Sequence, residues 1–132
     1  MIFVDTNYFM RLILGDDAEQ ADVVENLING AAVGKFSLYT SLVCWFEVDW
    51  VLKSVYKQPK PAVITALATL LDLREVQFDE RSICRDSLTL YEKTNLDLED
   101  CYNIYLALSL KCDSFASFDK KAVKEFGRLH AE

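Results

Sequence analysis

The period of the apolar positions changes several times along the chain. Ile2-Phe3-Val4 is a short continuous apolar run, the pattern of a strand buried on both faces of a parallel sheet. Asp5-Thr6-Asn7 stops it, and residues 8–14 read as a short helix ended by Gly15. Over residues 17–32, Ala21, Val24, Leu27, Ile28 and Ala31 recur at helical spacing on one face. Gly34 closes that helix, and residues 36–40 predict a second strand. Ser41 or Thr40 stands where a cap is needed for a helix over residues 42–56. The proline-bearing stretch at 58–61 is too short for a domain linker and reads as a helix-helix turn. Further on, the pattern predicts helices over 62–71, 80–93 and 98–110, strands over 75–78 and 114–118, and a basic helix from Asp119. Asn95 and Asp97 are capping candidates for the 98–110 helix. Strands separated by helical segments indicate an α/β fold with a mostly parallel sheet.

The length, 132 residues, fits one domain over residues 1–132, and 52% hydrophobic residues fit a packed core. Fourteen Lys plus Arg against 21 Asp plus Glu leave a formal charge of −7. By counting alone, that opposes nucleic acid as a partner, because phosphate binding favours a basic surface. The single histidine, His130, leaves almost no base for a Ser-His-Asp or Cys-His site. The cysteines, Cys44, Cys84, Cys101 and Cys112, form no C-x-x-C pair and read as reduced thiols of a cytoplasmic protein. No basic n-region or cleavage site separates Met1 from the first strand, and no apolar stretch approaches the ~20 residues of a membrane span. A cytoplasmic location, with no membrane partner, is the expectation.

Acid placement changes the picture that the charge count suggests. Asp5 follows the first predicted strand and Asp119 the last, at carboxyl ends where open α/β sheets build their sites. Asp100 lies in the first turn of a helix with largely apolar neighbours, and Glu47 sits among Trp45, Phe46, Val48 and Trp50. A carboxylate in such surroundings is costly to bury unless it is paired or bound to a cation. Structural readings stand beside each of these. Asp5 and Asp119 could be helix caps, Asp100 could join Asp97 in a capping arrangement, and Glu47 could share a solvated stripe with Asp49 or Lys53. Two carboxylates ~4 Å apart repel by about 4 kcal/mol at an effective dielectric of 20, so a cluster calls for protons or a metal. Oxygen-only ligation favours Mg²⁺ or Mn²⁺, which suits phosphodiester hydrolysis and needs neither histidine nor cysteine.

These residues resemble the motifs of the PIN domain family, and within it of the VapC-type toxins of toxin-antitoxin pairs. Val4-Asp5-Thr6-Asn7 is similar to the first motif, Phe46-Glu47-Val48-Asp49-Trp50-Val51-Leu52 to the helical glutamate motif, and Asp97-Leu98-Glu99-Asp100-Cys101 to the third. Ser117-Phe118-Asp119-Lys120 resembles the closing motif, where threonine is more usual than Ser117. The order and spacing agree over nearly the whole chain. The resemblance implies a three-layer α/β/α sandwich and a metal-dependent endoribonuclease acting on RNA. It also implies a homodimer and a small antitoxin whose tail occupies the active-site groove. By residue, Asp5, Glu47, Asp100 and Asp119 would hold Mg²⁺ or Mn²⁺ directly or through waters. Asn7 and Ser117 would hydrogen-bond the acids or the scissile phosphate, with Asp97 an auxiliary acid or a helix cap.

Two other classes stay open: a PIN-like binding module without catalysis, and a receiver-like Mg²⁺-binding signalling domain. The receiver pattern wants an acidic pair after the first strand, whereas Asp5 stands without an acidic neighbour. For an RNA path the basic residues available include Lys53, Lys57, Lys120, Lys121, Lys124 and Arg128, each of which reads equally as part of a solvated face.

Overall fold

Three two-residue strands form one sheet: β1 (Ile2–Phe3), β2 (Leu38–Tyr39) and β3 (Val76–Gln77). They run parallel in the order β1-β2-β3, with Ile2 opposite Leu38 and Leu38 opposite Val76. In the computed structural model, which describes residues 1–132, the chain divides into two units, Met1–Asp79 and Glu80–Glu132. All three strands belong to the first. Hydrogen bonds beyond the paired residues lengthen the ladder: Val4 N donates to Tyr39 O at 2.8 Å and Thr40 N to Gln77 O at 2.9 Å.

Parallel neighbours cannot be joined by a tight turn. Helices α1 (Thr6–Leu14) and α2 (Ala18–Ala32) therefore carry the chain from β1 to β2, and α3 (Leu42–Ser54) and α4 (Lys60–Asp72) from β2 to β3. Each begins on a recognisable signal. Asp5 caps α1, Asp17 caps α2 by accepting from Gln20 N at 3.0 Å, and Ser41 caps α3 by accepting from Cys44 N at 3.3 Å. Helix α4 starts behind Pro59 with Pro61 in its first turn, where a missing N–H leaves no bond unmade. Gly15, at φ 60°, ends α1 with its N–H on Arg11 O.

The core of this unit lies where α3 and α4 meet the sheet. Leu38, Val48, Leu52, Val63, Leu67 and Leu71 are fully buried, each worth roughly 1.5–3 kcal/mol in apolar burial. The Trp45 indole N–H reaches across to Leu67 O at 3.3 Å, so the largest side chain of α3 is also polar-satisfied. Phe36 leaves the predicted strand 36–40 because its ring lies over Gly30 of α2: a Cβ there would stand 2.6 Å from Phe36 Cζ. Only residues 38–39 remain as strand.

The second unit is helical: α5 (Arg81–Lys93), α6 (Leu98–Ser109) and α7 (Lys120–His130). Helix α6 packs on both α5 and α7, around Cys84, Leu88, Tyr91, Leu98, Cys101, Ile104, Ala122 and Phe126. Phe126 stacks on Phe115 at 5.5 Å and on His130 at 5.3 Å. No helix of the chain is long and apolar enough to cross a membrane.

Two sequence expectations are corrected. The first strand is not buried on both faces: Ile2 and Phe3 are exposed and only Val4 is buried, because β1 is an edge strand paired on one side. Residues 114–118 form no strand. The segment has one anchor, Phe115 on Phe126, while Phe118 is fully exposed, and it reaches Asp119 as a loop. The α/β class with a parallel sheet is what the structure shows.

A third correction concerns α3. The acid buried in it is Asp49, 1% exposed and paired with Lys53 Nζ at 2.9 Å, whereas Glu47 faces outward. Lys53→Met is expected to lower stability by about 1–3 kcal/mol in urea unfolding, below the ~3–5 of a fully buried pair because Lys53 is partly exposed. Lys53→Arg should retain most of it. The thiols give a second check. None of the four forms a disulfide, and burial pushes Cys84 up to about 12, so at pH 8 it stays protonated and inert. A thiol-specific reagent at that pH should modify half-buried Cys112 first and reach Cys84 only after denaturation.

Candidate active site

Asp5 leaves β1 and turns the chain into α1, accepting the Thr6 N–H on Oδ1 at 2.8 Å. The segment before it is held from the neighbouring strand, because the buried Thr40 hydroxyl donates to Val4 O at 2.8 Å. From α3, the Cys44 thiol donates to the same Asp5 Oδ1 at 3.6 Å, and the Ser41 hydroxyl donates to Cys44 Sγ at 3.5 Å. Glu47 lies one turn beyond Cys44, and its Oε2 accepts from the Thr6 hydroxyl at 3.1 Å. Thr6 therefore touches both acids, one through its backbone and one through its side chain. Asp5 and Glu47, distant in the chain, are brought together by the residue after the first.

The helical unit gathers a second set. Asp119 caps α7, its Oδ1 accepting from Lys121 N at 3.0 Å and Ala122 N at 3.2 Å. Ser117 supports it through the backbone, its hydroxyl accepting the Asp119 N–H at 3.0 Å. Asp100, in the first turn of α6, is half-buried. Burial raises its pKa above the usual carboxylate range, and the charges of Asp119 and Asp97 raise it further. Asp97 occupies the N-cap position of α6 but makes no capping hydrogen bond. The capping arrangement open to Asp97 and Asp100 in the sequence is thus not formed.

The cap reading of Asp5 and Asp119 is correct and does not exhaust them. In both, the hydrogen bonds fall on Oδ1. Oδ2 of each keeps its lone pairs for another partner, as does Oε1 of Glu47. Asn7 is exposed and lines a cleft with Tyr8, Arg11, Gln20, Val23 and Val24, away from a direct bond to either acid. The sequence reading overlooked Thr6, Thr40 and Cys44 as positioning residues. The signal for Cys44 was its place three residues before Glu47 on one helix face. It also overlooked Asp79, which follows β3. The Tyr39 hydroxyl bonds to Asp79, and this raises the tyrosine's pKa.

Whether these residues suit a metal is a matter of donor chemistry. Each set offers carboxylate oxygens only, the donors of a hard cation. The upward shift at Asp100 comes first from burial and then from the charges of Asp119 and Asp97, and a nearby cation would offset it. No three His, Cys, Asp or Glu side chains are gathered closely enough to hold a metal ion by themselves. The donor types fit, and the grouping seen is in sets within each unit.

Among protein families, the PIN domain matches residues 2–129, a span that includes both units and all four acids. No curated protein and no solved structure matches the chain significantly. PIN domains are generally metal-dependent nucleases acting on nucleic acids. With a match over nearly its whole length, an α/β fold on a parallel sheet, and acids fixed after β1 and at the start of α7, the chain belongs to the PIN domain family.

Proposed function

We propose that this chain is a metal-dependent endoribonuclease, the toxin of a VapC-type toxin-antitoxin pair, working as a single PIN domain over residues 1–132. Asp5, Glu47, Asp100 and Asp119 would hold Mg²⁺ or Mn²⁺, which when bound lowers the pKa of a water and stabilises charge developing on a phosphodiester. The observation that carries this reading is the Thr6 bridge. It draws Asp5 and Glu47 to one place, where two like charges gain nothing for folding. The family match, which takes in all four acids, supports it.

The chain's own residues do the positioning. Thr6 fixes Asp5 and Glu47 relative to each other, and Cys44 limits rotation of the Asp5 carboxylate. Asp119 is oriented by two α7 amides and by Ser117 behind its own N–H. Asp100 holds a proton on its carboxylate more readily than an ordinary aspartate does, and gives it up when a cation is near. Asn7, exposed one helical position beyond Thr6, is assigned to the substrate phosphate, and Asp97 to an outer, water-mediated role. Partners in this reading are an RNA substrate, a small antitoxin and a second copy of the chain, in the cytoplasm.

Asp5→Asn keeps the helix cap, since Asn caps as well as Asp, and removes the charge. With purified, antitoxin-free protein and Mn²⁺, it should lower RNA cleavage by at least about a hundredfold, beyond the ~10–100-fold cost of losing an outer-shell partner. Its melting temperature should change little. An unmodified chain that cuts no RNA under these conditions would overturn the reading. Asp100→Asn should be equally inactive but more stable. The raised Asp100 pKa means that the folded state resists ionisation, so its contribution is intact below the ordinary carboxylate range and is lost as pH rises through the raised value. The variant should melt above the parent at pH 7 without metal, and the gap should close at low pH.

A further inference from the structure

The structure sorts the basic residues that the sequence left equivalent. Lys53 is held by Asp49 at 2.9 Å. Arg11 is held by Asp16 at 2.9 Å, and Arg128 by Glu125 at 3.0 Å and Glu132 at 3.3 Å. In the helical unit, one groove of ≈ 300 Å³ is lined by Lys93 at the end of α5, by Thr94, Asn95 and Leu96 of the α5–α6 turn, and by Lys121, Lys124 and Glu125 of α7. Its one acid, Glu125, is already occupied by Arg128. Three ammonium groups from two helices therefore share a groove whose only carboxylate is neutralised elsewhere.

Helix stability explains Lys93 but not Lys121. Lys93, in the last turn of α5, suits the negative end of its helix dipole. Lys121 lies in the first turn of α7, at the positive end, where an acid would stabilise and a cation costs a few tenths of a kcal/mol, and Lys124 follows it in the second turn. The first turn of α7 contains no acid. The amides of Lys121 and Ala122 are taken by Asp119, so what the groove offers a ligand is chiefly its lysines, with the exposed Asn95 also in its lining. Lys121 is also two residues from Asp119 and bonded to it through the backbone. A strand that presents a phosphate to Asp119 can lay a neighbouring phosphate along this first turn, beside Lys121.

We propose that this groove binds the backbone of single-stranded RNA, with Lys93, Lys121 and Lys124 holding the phosphodiester next to the one that reaches Asp119. The proposal rests on the ribonuclease reading and names the path that reading leaves open. It makes these three lysines affinity determinants that take no part in the chemistry.

The test is fluorescence anisotropy with a labelled single-stranded RNA, using the full chain carrying Asp5→Asn so that RNA stays intact, over 50–300 mM KCl with Mg²⁺. In that background, Lys93→Gln, Lys121→Gln and Lys124→Gln together should weaken binding by about tenfold or more and flatten the log-log salt dependence by about two, at ~0.7 per contact. A control removing the same charge at Lys35, Lys57 and Arg74 should leave the slope nearly unchanged. The three groove variants made singly, each lowering the slope by about 0.7, keep the test decisive should the triple variant melt early. Equal effects of groove and control substitutions would overturn the proposal, as would groove-dependent binding of a polyglutamate peptide with RNA binding unaltered. Absence of any RNA binding by the Asp5→Asn parent would instead remove the ribonuclease reading itself.

Discussion

Parallel strands that end together deliver the residues beyond them to one edge, and the first unit is organised by that constraint. After β1 comes Asp5, after β2 Ser41, and after β3 Asp79. With strands of only two residues, the ladder alone is a weak clamp. Thr40 supplements it by donating to Val4 O from inside the sheet, in place of a further rung. On this frame hangs a relay of hydrogen bonds from Ser41 through Cys44 to Asp5, and from Thr6 to Glu47. If β1 slipped against β2, Thr40 would lose Val4 and the acids would lose their common frame.

The helical unit meets the same problem with other means. Asp119 arrives on a loop and takes its orientation from α7, while Asp100 takes its place from the packing of α6. One carboxylate is ordered by hydrogen bonds, and the other is half-buried near two like charges. The first arrangement costs little, whereas the second works against folding. A group kept where it opposes stability is more readily understood as serving a ligand than as serving the fold.

Much of this was legible in the sequence, for identifiable reasons. Helix boundaries came through where a hydroxyl cap or a glycine marked them, as at Ser41 and Gly15, whereas the helices behind Asp5 and Pro59 begin two residues before the apolar pattern placed them. The acid buried in α3 was not legible. That helix is apolar on nearly all sides, and only its packing partners decide that Val48, Asp49 and Leu52 turn inward while Glu47 turns out. Residues 114–118 misled because a short aromatic-bearing run states which side chains seek cover, not whether a strand is free to pair with them. Thr6, Thr40 and Cys44 escaped notice since small polar residues reveal a positioning role only when their distant partner is known. The charge of −7, an objection to RNA when merely counted, dissolves into local arrangements: acids that hold cations of the chain itself, acids that cap helices, and a groove where lysines stand unopposed.

If Asp5 and Asp119 serve catalysis as proposed, besides capping α1 and α7, that double duty bears on how lineages of such chains change. A descendant that had lost catalysis would still need an aspartate or asparagine at both positions to start α1 and α7, so selection on folding alone would preserve them. Glu47 starts no helix, is exposed, and is held only by Thr6. It would be the first of the four to drift once activity ceased to matter. Glutamate at this position therefore carries more information about a living enzyme than the more conspicuous aspartates on either side of it in the chain.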